Sequence, residues 1–276
     1  MQDDIKKRVP TGIPSLDPVL DGGVPPGSVI LLAGEPGAGN REFVYSSLLL
    51  ISKLKEKGES KPDIILPDQI VYTTFTRLSS SITNEMKLSF KEDIVSGIED
   101  KLNFIDLSEI YFDSSVVPTG WYSKTSVIER FQKKSESGSL VAKLAEELGK
   151  LPKNSLIVID SITDIATEST GITEWKEMVG FLRGIQRVSK IWGSTIYILL
   201  SEGILKESRL LEIADCCDAM VTFHWEESSG RKRQRVVYFE KFNGVMTHLE
   251  ENDLVKFAAR ITPESGFEVS NIRVVI

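Results

Sequence analysis

The residues with the clearest chemical potential stand in one stretch, Gly34-Glu35-Pro36-Gly37-Ala38-Gly39-Asn40-Arg41. A phosphate-cradling loop between a strand and a helix reads G-x-x-x-x-G-K-[ST]. In such a loop backbone N–H groups surround the phosphates, the lysine neutralises them and the hydroxyl ligates Mg²⁺. Here the glycine frame is intact, but Asn40 stands at the lysine position and Arg41 at the hydroxyl position. Asn40 carries no charge. It is also a favoured helix N-cap, so its side chain is expected to occupy N–H groups that would otherwise meet an anion. Arg41 has no lone pair to offer a metal, although it can meet a phosphate directly. On these residues alone two readings stand: an altered phosphate loop, and a plain glycine-rich turn from strand to helix.

The other reactive residue types are sparse. Cys216 and Cys217 are adjacent. Neighbours in an extended segment point to opposite faces, so a bridge between them is not expected and a reducing compartment fits. His224 and His248 are too few and too isolated for a histidine metal site. His224 reads as a strand-end residue. The run Arg231-Lys232-Arg233-Gln234-Arg235 reads as a solvated hairpin tip, with a phosphate or nucleic-acid patch as the alternative. It lacks interleaved aromatics for stacking, and a formal charge of −7 works against non-specific nucleic-acid binding. No residue is assigned a catalytic or metal-binding role.

The elements that must position the loop follow an alternating strand and helix pattern, the mark of a parallel sheet covered on both faces. Strands are expected at Ser28 to Ala33, Ile70 to Phe75, Asn103 to Leu107, Ser155 to Asp160 and Thr195 to Leu200. Helices are expected at Asn40 to Lys57, stopped by Gly58, around Ile82 to Phe90, from Ser126 onward, and at Leu140 to Leu148 and Glu174 to Lys190. Lys134 to Ser139 reads as a break. Ala219 to His224 and Arg235 to Phe242 read as a hairpin around Ser228 to Gly230, followed after Gly266 by one more strand, strongest from Ile272 to Val275. With 276 residues, no internal repeat and no long linker, one domain over 1–276 is the economical organisation. No apolar run approaches the roughly 20 residues needed to span a bilayer, and MQDDIKKRVP has no apolar signal core. A cytoplasmic location is expected.

With the loop placed, the chain resembles the KaiC-like branch of the RecA superfamily. Val9-Pro10-Thr11-Gly12-Ile13-Pro14-Ser15-Leu16-Asp17 is similar to that family's opening T-G-I-x-x-L-D, and Leu20-Asp21-Gly22-Gly23-Val24-Pro25-Pro26-Gly27-Ser28 to its L-x-G-G-[IV]-P-x-G-S. The likeness covers nearly the whole chain and is weakest from Lys91 to Ser139. It implies an α/β, RecA-like P-loop fold: a mostly parallel central sheet, helices on both faces and a C-terminal β-hairpin. It identifies Ser155-Leu156-Ile157-Val158-Ile159-Asp160-Ser161 with the Walker B strand, whose acid, here Asp160, holds Mg²⁺ in the family. Without the resemblance, Asp160 reads as an N-capping acid at a strand end. The family places two acids after its second strand to polarise the attacking water. This chain has Thr76 and Arg77 there, and neither is a carboxylate base. Glu202, after Ser201, would serve as a base only with its backbone displaced. Ile213-Ala214-Asp215-Cys216-Cys217-Asp218-Ala219-Met220-Val221 resembles I-A-D-x-[IV], and Arg235 to Gly244 resembles R-x-L-x-V-x-K-x-R-G. In the family that Lys and Arg reach a nucleotide on the neighbouring subunit; Lys241 is kept here and Asn243 replaces the Arg.

These residues point to a non-hydrolysing binding or assembly module, a pseudo-ATPase. ATP is the one candidate ligand, weakly held, with Gly34 to Arg41, Asp160 and Lys241 as its contacts. The alternatives are an unconventional ATPase, with Arg41 or Lys241 supplying the missing charge, and a nucleic-acid-binding recombinase paralogue. Family relatives form rings with nucleotide between subunits. The expected partners are therefore a second copy or an active paralogue, in a lower-order assembly. No membrane partner is expected.

Overall fold

The loop hangs from a central strand whose sequence, Val-Ile-Leu-Leu-Ala-Gly, is apolar throughout because both of its faces are buried. Ile30 and Leu32 enter one core and Val29, Leu31 and Ala33 enter the other. The computed structural model describes residues 7–58, 62–113, 115–123, 139–227 and 233–271. Within them lie nine strands: β1 Val29–Gly34, β2 Gln69–Thr74, β3 Leu102–Asp106, β4 Ser155–Asp160, β5 Thr195–Ser201, β6 Ala219–Glu227, β7 Arg233–Phe242, β8 Lys256–Thr262 and β9 Gly266–Asn271. They form one sheet in the order β3-β2-β4-β5-β1-β6-β7-β8-β9. Pairing is parallel from β3 to β6 and antiparallel from β6 to β9.

Helix α1, Asn40–Lys57, follows the loop and packs Phe43, Val44, Leu48 and Ile51 into the first core. Lys55 and Lys57 lie in its last turn, where cations suit the helix dipole. Gly58 ends it in the left-handed conformation, φ 62°, as the sequence predicts. On the same face lie α2, Ser79–Ser89, and the short α3, Glu92–Val95. After β3 comes α4, Ser108–Asp113. The opposite face is covered by α5, Leu140–Gly149, α6, Ile162–Glu168, α7, Ile172–Trp192, and α8, Glu207–Asp215. Helix α9, Met246–Glu251, sits between β7 and β8. No described helix is long and apolar enough to cross a membrane.

The α/β class, the parallel sheet and the C-terminal hairpin agree with the sequence reading. The antiparallel part is larger than expected, because β8 joins it. Most β8 side chains are only half-buried, so the strand leaves no apolar run to detect. Edge strand β9 is closed by hydroxyls: Phe267 N–H donates to Ser46 Oγ (2.8 Å) and Val269 N–H to Ser15 Oγ (2.9 Å). The expected helix from Ser126, the turn at Ser228 to Gly230, Arg231, Lys232 and the stretch Ile272 to Val275 lie outside the described residues. Of the break at Lys134 to Ser139, only Ser139 is described, and its side chain caps α5 by accepting from Ala142 N–H.

The opening motif has a mechanical role. The Asp17 carboxylate accepts from Thr11 N–H (2.7 Å), Thr11 Oγ1 (2.7 Å) and Gly12 N–H (3.1 Å), folding the entry segment beside α1. Gly23 passes so close to the same segment that a Cβ there would lie 2.1 Å from Val9 O. Asp17→Ala leaves three donors without their acceptor. It should lower stability by about 2–3 kcal/mol, read as a shift of the urea midpoint at unchanged slope.

Candidate functional site

Ligands of open parallel sheets bind outside the carboxyl ends of the strands. Here the ends of β1, β4 and β5 border an open cleft of about 340 Å³. Gly34, Glu35, Pro36, Gly37, Asn40, Arg41 and Asp160 all line it, with Glu85, Ser161 and Ser201. Of the remaining predicted contacts, Ala38 is fully buried and Gly39 is the residue from which α1 starts.

The helix cap differs from the sequence expectation. Gly39 occupies the N-cap with φ 111°, a conformation suited to glycine, and Asn40 is the first helical residue. The Asn40 side chain folds back under the loop instead of entering the cap position. Its Oδ1 accepts from Arg41 N–H (3.0 Å), and its Nδ2 lies 3.4 Å from Leu32 O. A Cβ on Gly34 would stand 2.7 Å from Asn40 Cγ. Asn40 thus ties up one N–H of the first turn, from a neighbouring position to the one expected.

Asp160 closes β4, and its side chain is 1% exposed. Its carboxylate accepts from Tyr72 OH (2.7 Å) and faces two guanidinium groups, Arg41 Nη2 at 3.5 Å and Arg77 Nη1 at 3.5 Å. Arg77 is aimed there by the turn after β2, where Thr74 Oγ1 accepts from its N–H (3.1 Å) and donates to its carbonyl (3.0 Å). Arg77 also donates to Tyr45 OH (2.8 Å) and pairs with Glu85 of α2. Burial opposes the Arg77 charge, but Tyr45 and Glu85 outweigh it and its pKa rises. Arg41 behaves likewise: burial and the neighbouring Arg77 oppose its charge, while the Asp160 carboxylate favours it, and its pKa rises. Burial pushes Tyr45 up to about 12 and, reinforced by the Asp160 charge, holds Tyr72 well above the usual tyrosine range. Both phenols therefore stay neutral donors.

Glu202 is not among the residues that line the cleft. Its N–H donates to Gly34 O (2.9 Å), and its carboxylate lies 3.4 Å from His224 Nδ1, the same nitrogen that Glu35 approaches at 3.6 Å. Burial raises the Glu202 pKa, opposed by His224 and assisted by Glu35 and Glu240. His224 lies inside β6, opposite Val236, and not at a strand end.

Lys241 is not brought to the loop. Its ammonium donates to Ala214 O (3.0 Å) and Cys217 O (2.7 Å), and so caps the C-terminal end of α8. Cys216 and Cys217 are free and buried, and burial pushes both thiols up, which makes them inert.

Sequence reasoning missed two residues beside the loop. Arg235 Nε donates to Gly37 O (3.1 Å) and Trp225 Nε1 to Pro36 O (3.2 Å). The basic run has an aromatic partner after all, supplied across the hairpin by Trp225.

A family model described as the KaiC ATPase matches residues 9–255. Local likenesses link the chain to a UPF0273 protein of Methanocaldococcus jannaschii, 45% identical over 47 residues, which are 16% of this chain and 19% of that one. A second joins it to the DNA repair protein RadA of Listeria monocytogenes, 27% identical over 112 residues, 40% of this chain and 24% of that one. The chain thus spans about a fifth to a quarter of the length of these relatives. A KaiC-like protein of Pyrococcus horikoshii superposes with a TM-score of 0.57 at 18% identity, covering 96% of this chain and 99% of that one. The flagellar accessory protein FlaH of M. jannaschii gives 0.57 at 14% identity, with 94% and 96% covered. At such identities the likeness is one of fold.

Gly34→Ala should cost about 1–3 kcal/mol through its clash with Asn40. Gly34→Ala combined with Asn40→Ala should recover part of that loss, since only the Asn40 Cβ contact then remains. Thermal unfolding of both variants beside the wild type checks this.

Proposed function

The chain belongs to the KaiC ATPase family, and within it we propose that this protein is a non-hydrolysing binding or assembly module. One observation carries the reading: the buried Asp160 carboxylate is paired with Arg41 and Arg77 of its own chain and hydrogen-bonded to Tyr72. A magnesium ion at that acid would sit beside two guanidinium groups. Like unit charges 4 Å apart at an effective dielectric constant of 20 repel by roughly 4 kcal/mol, and a divalent ion doubles the effect. Arg41 also supplies no oxygen ligand where the family motif has a hydroxyl. The donor set does not fit Mg²⁺ with a triphosphate.

The remaining requirements of hydrolysis also lack their residues. Phosphoryl transfer depends on electrostatic stabilisation of the transferred group and on an oriented water. Asn40 brings no charge to the phosphates, and Arg77, at the position of an expected acid, is drawn to Asp160 and Glu85. Lys241 is held by three carbonyls around the end of α8 and is not free to supply charge. Among the described residues lining the cleft, Arg41, whose side chain is 43% exposed, is the cation able to meet an anion without metal. The recombinase reading is weaker, because Arg233 and Arg235, the described arginines of the basic run, stack on Trp225. Without a nucleotide bridge between subunits, assembly with a second copy or an active paralogue should be of low order.

Phosphate release from Mg²⁺-ATP should equal that of Asp160→Ala, and calorimetric heats of ATP binding should not depend on Mg²⁺. Steady release that vanishes in the variant would overturn the proposal. The mass in solution should not respond to ATP; a homohexamer without nucleotide would contradict the assembly state.

A further inference from the structure

Three successive residues of the Gly-rich loop are fastened to the β6–β7 hairpin. Glu35 N–H donates to Phe223 O (3.0 Å), and the Glu35 carboxylate accepts from Trp225 N–H (3.1 Å). Pro36 O accepts from the Trp225 indole (3.2 Å), and Gly37 O accepts from Arg235 Nε (3.1 Å). Trp225 and Arg235 are directly opposite in the antiparallel register. The guanidinium carbons of Arg233 and Arg235 lie 4.3 and 4.5 Å from the centroid of the Trp225 ring. The Arg235 aliphatic stem also flanks Gly39, where a Cβ would lie 3.4 Å from its Cδ.

The direction of these bonds matters. In a trans peptide the N–H points opposite to the C=O. With the Pro36 carbonyl drawn to the hairpin, the Gly37 N–H is turned to the other side. With the Gly37 carbonyl drawn the same way, the Ala38 N–H is turned inward onto Glu35 O (3.0 Å). A phosphate loop turns amides toward its anion, an orientation left to the Gly37 N–H in this chain while the Ala38 N–H is spent on Glu35 O. Here donors from the same chain can impose it.

We propose that Trp225 and Arg235 are positioning residues that hold the Gly-rich loop in its cradle shape without a bound phosphate, coupling the hairpin to the rim of the cleft. The loop is then pre-formed, and any movement of the hairpin changes it. This inference concerns the shape of the loop, and it stands or falls independently of whether the cleft turns nucleotide over.

Amide exchange of the ligand-free full chain, followed by mass spectrometry, tests it. Trp225→Phe keeps an aromatic face for the arginines and removes only the indole donor; Arg235→Met removes the guanidinium and keeps most of the stem. In both variants exchange in the peptide covering residues 35–41 should rise about tenfold, the effect of losing one such hydrogen bond. Over the same labelling times exchange across β4 should stay at its wild-type level, and the thermal midpoint should fall by no more than the few degrees that one lost hydrogen bond costs. Arg260→Met on β8, whose guanidinium pairs with Glu268, serves as the control and should leave the loop unchanged. Unchanged loop exchange in both hairpin variants would overturn the proposal. So would an equal rise across β4, since that would make the contacts general packing.

Discussion

A carboxylate at the end of a central strand, with a side chain only 1% exposed, must be neutralised or pay heavily in desolvation. Asp160 is that group, and its neutralisation organises the cleft. Tyr72 from the adjacent strand, Arg41 from the first turn of α1 and Arg77 from the turn after β2 all converge on it. Through Arg77 the network extends to Tyr45 and to Glu85 of α2. Two strands and two helices are thus joined around one negative charge. Removing one partner would leave the charge buried and under-compensated, which is why such groups hold their arrangement more firmly than their net contribution to stability suggests.

The Gly-rich loop meets the same problem from the backbone side. A loop that cradles phosphate has carbonyls facing away from its ligand and amides facing in, and without the anion that form has fewer partners. In this chain the outward groups are satisfied internally, by Phe223, Trp225 and Arg235, while Asn40 accepts an N–H at the start of α1. Cleft and loop are therefore ordered by contacts within the chain.

Much of this was legible in the sequence, for local reasons. The strand-loop-helix from β1 through α1 is written in an apolar run, a glycine frame and a helix whose period, terminal lysines and Gly58 agree with one another. Ser155 to Asp160 was equally plain, because a strand buried on both faces is continuously apolar. What stayed hidden depends on partners far away in the chain. Nothing near Arg77 announces Asp160, 83 residues on. Lys241 keeps its family position, yet its ammonium lies on the carbonyls at the end of α8, a contact fixed only by how β7 packs beside that helix. Trp225 and Arg235 are ten residues apart and become neighbours only in the hairpin register. Strand β8 escaped because its side chains are mostly half-buried and give no apolar pattern.

The departures from the family motif gain coherence when charge is followed from site to site. In the motif, a lysine faces the phosphates and a metal faces the strand acid. Here the position of the lysine is neutral, while arginines stand at the hydroxyl position and at an acid position, and both approach the strand acid. The positive charge has moved from the ligand side of the cleft to the protein side. On the proposed reading each change makes the others tolerable: with two guanidinium groups beside Asp160 a metal would not be needed to neutralise it, and without a metal the hydroxyl ligand and the water-polarising acids would have no task. Restoring lysine at 40 alone would add a third cation next to Arg41 and Arg77 and give Asp160 no freedom to accept a metal. The site is therefore a linked set, in which the identity of residue 40 is meaningful only together with 41, 77 and 160.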